Sequence, residues 1–164
     1  MRLIVANDVH ENVGRVQEGG TSMLMFGPLI EYLDMSEGGK DMKGLGLWVV
    51  MTLKGGNGTI MRIVCRYNPC GNDKPNSSMV YQQHWQYLIN KENSLHHPWV
   101  KFREDLMAQL TWWREEQNKL VVCLDANKYI YHKSLGKALT NVDGLNMREV
   151  VGTFTGKQIG ATYF

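Results

Sequence analysis

The sequence predicts a single α/β domain over residues 1–164, and three stretches carry that reading. Leu47-Trp-Val-Val-Met-Thr-Leu53 and Thr59-Ile-Met-Arg-Ile-Val-Cys-Arg66 are apolar runs of strand length, joined by the hairpin-turn signal Lys54-Gly-Gly-Asn-Gly58. Trp99, Phe102, Leu106, Leu110 and Trp113 recur at spacings of 3, 4, 4 and 3, one apolar helical stripe laid against a sheet. Lys119-Leu-Val-Val-Cys-Leu124 follows as a buried strand and runs into Asp125-Ala-Asn127. The order is strand, strand, helix, helix, strand. Polar groups at the carboxyl ends of central strands are where α/β proteins tend to place their sites.

From the amino terminus, residues 3–6 are a short strand and residues 7–18 are polar and poorly patterned. Gly19-Gly20-Thr21 leads into a strand over residues 22–26, the glycines permitting a sharp turn or a close backbone approach. Gly27-Pro28 ends it, residues 29–33 form a helical turn, and residues 37–44 read as a loop. Residues 47–53 are apolar on both faces, as in an interior strand. The returning strand, residues 59–66, delivers Tyr67-Asn68-Pro69, where proline stops the ladder. After a turn-rich loop over residues 70–78, Ser77 or Ser78 caps a helix reaching about Leu88. Pro98 opens the second helix, which ends within residues 115–118. A polar, aromatic loop covers residues 128–133, a short helix residues 134–139, and a short strand or helix residues 145–151. Residues 160–164 resemble the start of another strand, so the chain reads as continuing beyond them.

Composition sets the limits. Hydrophobic residues make up 43% of the 164, which argues against disorder. A net charge of +2 is too weak to argue nucleic-acid binding by itself. Three cysteines, Cys65, Cys70 and Cys123, fit a reducing, intracellular setting, although a Cys65–Cys70 bridge is conceivable. Cys123, mid-strand, reads as a buried small hydrophobe. His96-His97 reads as a solvated pair, and no zinc-type cluster is present. There is no apolar run of membrane-spanning length, so no membrane partner is expected.

The chemistry centres on Asp125 and Asn127. Two apart in extended backbone, they point to the same face. A carboxylate there can orient and deprotonate a water, and the amide can fix a neighbouring oxygen. On these residues alone, a strand followed by an Asx turn competes with that reading. Tyr67, at the end of its own strand, is either a site residue or an aromatic cap on the core.

Four motifs in order are Gly19-Gly20-Thr21, Gly44-Leu45-Gly46-Leu47-Trp48, Tyr67-Asn68-Pro69-Cys70 and Leu124-Asp125-Ala126-Asn127. Together they resemble the endonuclease/exonuclease/phosphatase superfamily. The resemblance implies a four-layered α/β/β/α sandwich of the DNase I-like kind, here incomplete, that uses Mg²⁺ or Mn²⁺ to cleave phosphoesters. It implies nucleic acid as partner, DNA ahead of RNA. Carried over by position, Asp125 would orient or deprotonate the attacking water. Asn127 would contact the scissile phosphate and hold that acid, and the Tyr67 hydroxyl would approach the phosphate. Gln17-Glu18 is similar to the family's Gln-Glu, making Glu18 the candidate metal ligand, and Asn7 is similar to its early Asn. The family ends on an Asp and an essential His. None of His10, His84, His96, His97 or His132 stands in a matching context. The domain is thus expected to be truncated at both ends, weakly active or inactive, with open sheet edges able to pair with another chain. The alternatives are a catalytically silent binding module on the same fold, or a small-substrate phosphatase using Glu18.

Overall fold

The computed structural model describes residues 1–7, 20–41, 43, 45–69, 80–125, 134–141 and 144–148. Strand β1 (Arg2–Asn7) pairs antiparallel with β2 (Gly20–Met25), in register from Arg2 opposite Met25 to Asn7 opposite Gly20. After a short 3₁₀ turn (Pro28–Tyr32), entered through Gly27 at a φ of 75°, comes a second sheet. Its strands β3 (Leu33–Lys40), β4 (Trp48–Lys54), β5 (Ile60–Tyr67) and β6 (Lys119–Asp125) lie in that order. The first three run antiparallel and β6 runs parallel to β5. Helices α1 (Val80–Glu92) and α2 (Pro98–Glu115) lie on the β5-to-β6 connection, since parallel neighbours need a long crossover. Helix α3 (Ser134–Thr140) follows.

Alternation along the central strands assigns their two faces. Met51 and Leu53 of β4 pack with Met25, Ile4, Met23 and Ile63, so the β1–β2 pair covers this face. Val50 and Val64 point the other way, onto Phe102, Leu106, Leu110 and Trp113 of α2, joined by Leu120, Val122 and Leu124 of β6. Burial of each such side chain stabilises the fold by about 1.5–3 kcal/mol. The described residues therefore stack as a strand pair, a four-stranded mixed sheet and a helix.

The hairpin between β4 and β5, the interior place of β4, both long helices and the strand before Asp125 all form as the sequence predicts. Helix α1 runs four residues past Leu88, and its expected cap at Ser77 or Ser78 lies outside the described residues.

Five readings need correction. Residues 37–40, expected in a loop, belong to β3. Asp34, Ser36, Gly38 and Gly39 are poor strand formers, but the β4 edge supplies hydrogen-bond partners, and the register shifts between Asp34 and Gly39 to accommodate them. The second glycine has a packing reason: a Cβ on Gly39 would stand 3.3 Å from the Trp48 ring. Strand β6 is not buried on both faces; Lys119, Val121, Cys123 and Asp125 are exposed, because the β1–β2 pair packs on β4 and β5. Cys123 is accordingly exposed rather than core. His97 is half-buried, not solvated: its Nε2 lies 2.6 Å from the Tyr81 hydroxyl, and its ring centroid is 4.8 Å from that of Trp99. Trp99 accordingly turns from the sheet-facing stripe to this aromatic cluster, donating from Nε1 to the Pro69 carbonyl at 3.0 Å.

Candidate active site

Parallel pairing of β5 with β6 puts Tyr67 directly opposite Asp125. Both lie at the carboxyl ends of their strands, on the face away from α2. Backbone bonds hold these ends in place. The Tyr67 N–H donates to the Leu47 carbonyl and the Asn68 N–H to the Asp125 carbonyl, each at 2.9 Å.

A concavity of about 480 Å³ opens here. It is lined by Gly20, Thr21 and Ser22 at the start of β2, by Cys65, Arg66 and Tyr67 of β5, and by Cys123, Leu124 and Asp125 of β6. Three motifs far apart in sequence thus meet at one place. Thr21 is anchored by its hydroxyl, which donates to the Gly46 carbonyl at 2.7 Å. Gly46 lies at a φ of 68°, the left-handed region where glycine is favoured. The segment over residues 45–48 is therefore a support: through Gly46 it locks the start of β2 beside the ends of β5 and β6. Buried Asp41 fixes the same segment by accepting from the Lys43 N–H at 3.0 Å and the Leu47 N–H at 2.9 Å.

Beneath the concavity, Arg66 is buried with its guanidinium 5.4 Å from the Trp48 ring centroid and 5.9 Å from that of Phe102. Burial pushes its pKa down to about 10, with Asp105 and Asp41 pulling the other way, so it stays charged at neutral pH. A persistent positive charge at this depth favours an anion above it.

Of the residues expected to act, Tyr67 and Asp125 are brought together; Asp125 is exposed and Tyr67 half-buried. Asn127, Glu18 and His132 lie outside the described residues, as does the side chain of Asn7. Buried His84 packs in α1, away from the concavity's lining. Sequence reading passed over Ser22, Cys65, Arg66 and Cys123 as lining residues. A signal was available for the two cysteines: each stands two residues before Tyr67 or Asp125 and so shares its face.

Among the described residues, no group of three or more His, Cys, Asp or Glu could hold a metal ion, and Asp125 is the one acid lining the concavity. These residues alone do not fit a divalent cation, which prefers several oxygen ligands. No helix among them is long and apolar enough to cross a membrane. The chain matches no protein-family model, no curated protein and no solved structure.

Proposed function

We propose that the chain carries part of a phosphoester-hydrolysing site of the endonuclease/exonuclease/phosphatase type, acting on nucleic acid, DNA ahead of RNA. One observation carries this reading: Gly20, Thr21 and Ser22, Tyr67 and Asp125 line a single concavity. The Asp125 carboxylate would orient a water and take its proton as the oxygen attacks phosphorus in line. The Tyr67 hydroxyl would donate to a non-bridging oxygen, where negative charge builds. Asn127 would hold the acid and contact the same phosphate. Mg²⁺ or Mn²⁺ would be held through Glu18, which lies outside the described residues. The layering of a strand pair, a sheet and a helix supports an incomplete four-layered α/β/β/α sandwich. Among the described residues β6 pairs with β5 alone, and its other edge is where a second chain would pair.

A second reading rests on the same acid. Asp125 is the one acid among the described lining residues, and one acid by itself gives little rate, because catalytic residues act as a unit. That favours a catalytically silent binding module on the same fold. The test compares the protein with Asp125→Asn on DNA, RNA and phosphomonoesters, with Mg²⁺ or Mn²⁺ supplied. The hydrolase reading expects metal-dependent DNA cleavage that falls roughly 10²–10⁴-fold in the variant, the usual contribution of a positioned acid or base. Cleavage no greater than that of Asp125→Asn would overturn it and leave the binding module.

A further inference from the structure

Cys65 and Cys123 are register partners on adjacent parallel strands. Both are free thiols, and both line the concavity. Paired positions on neighbouring strands stand about 4.7–4.9 Å apart, inside the roughly 4.4–6.8 Å between Cα atoms that a disulfide spans. Their side chains leave the sheet on the same face. Strand β6 has a strand neighbour on one side only among the described residues, so its backbone has room to adjust. Cys123 is exposed and Cys65 half-buried, which separates a thiol that reagents reach from one that they reach less easily.

We propose that Cys65 and Cys123 form a reversible disulfide across β5 and β6 by exchange with a small oxidised thiol such as glutathione disulfide. Cys123 is the attacking residue. Its thiolate bonds to one sulfur of the small disulfide and expels the other half as a thiolate. The Cys65 thiolate then attacks the Cys123 sulfur, breaks the mixed disulfide and expels the second half. The two cysteine protons end on the two released small thiols, so the protein sulfurs are oxidised and the small disulfide is reduced. Burial raises the Cys65 thiol above its ordinary pKa, and the neighbouring Cys123 adds to this, which suits the second, resolving role. The bond would tie together the strands that present Tyr67 and Asp125. It stands whether or not the concavity hydrolyses phosphoesters.

The test equilibrates the whole protein with graded ratios of glutathione disulfide to glutathione, then quenches with an alkylating reagent and maps peptides by mass. The expected product is a Cys65–Cys123 cross-linked peptide that dithiothreitol removes, formed equally in Cys70→Ser. In Cys123→Ser, the cross-link should vanish. Because the decisive peptide comes from the unaltered protein, misfolding of a variant does not blunt the test. A glutathione adduct on Cys123 that never resolves, a bond to Cys70 instead, or thiols that stay fully alkylated would each overturn the proposal.

Discussion

His84 should make this protein acid-labile between about pH 6.5 and pH 4. The residue is 1% exposed in α1, and neither ring nitrogen has a hydrogen-bond partner among the described residues. Burial lowers its pKa from 6.5 to about 4, with Lys43 and Lys101 acting in the same direction and Asp105 and Glu92 opposing. The folded state therefore holds His84 neutral while the unfolded chain protonates near pH 6.5. Stability from this source is complete above pH 6.5 and is lost as pH falls towards about 4. With those two pKa values, lowering the pH from 7.5 to 4.5 should cost about 2.5 kcal/mol. That is a large share of the roughly 5–15 kcal/mol of a typical domain. Urea unfolding of the protein and of His84→Leu across this range provides the assay. The variant should lose the extra acid sensitivity. It should be no less stable at pH 7.5, because two unsatisfied buried nitrogens disappear with the ring. Asp34, whose pKa is lowered by Lys54 and Ser36, and Asp105, whose burial pushes its pKa up but whose contacts with Lys101 and Lys43 lower it by more, stay charged down to lower pH. Equal slopes for the two proteins between pH 6.5 and 4.5 would refute the reasoning.

Leu106→Ala, at a fully buried position between α2 and the sheet, should destabilise by about 2–5 kcal/mol in chemical denaturation, the cost of a core cavity. Arg62→Met should cost about 2–3 kcal/mol in the same measurement. It strips partners from Asn118 (3.1 Å), Thr52 (3.0 Å) and the Glu37 carboxylate (3.0 Å) and removes a guanidinium 5.1 Å from the Trp113 ring centroid. Arg62→Lys should recover little of that loss, since an ammonium cannot reproduce the planar fork.

What could be read in the sequence was whatever local pattern encodes. The Lys54–Gly58 turn dictates a hairpin, with Asn57 and Gly58 at φ values of 57° and 72°. The period of Phe102, Leu106, Leu110 and Trp113 dictates which side of α2 is buried. The apolar run ending at Asp125 places that acid at a strand tip. Tertiary structure decided the rest. Strand β3 exists because β4 offers an edge to a stretch with little propensity of its own. Cys123 is exposed and His97 half-buried because burial depends on what covers a side chain, not on the residue itself. Only parallel pairing of β5 with β6, with Thr21 tied to Gly46, brings Gly20, Tyr67 and Asp125 to one concavity. Strand register and sheet order arise from contacts between residues distant in the chain, and no local period carries them.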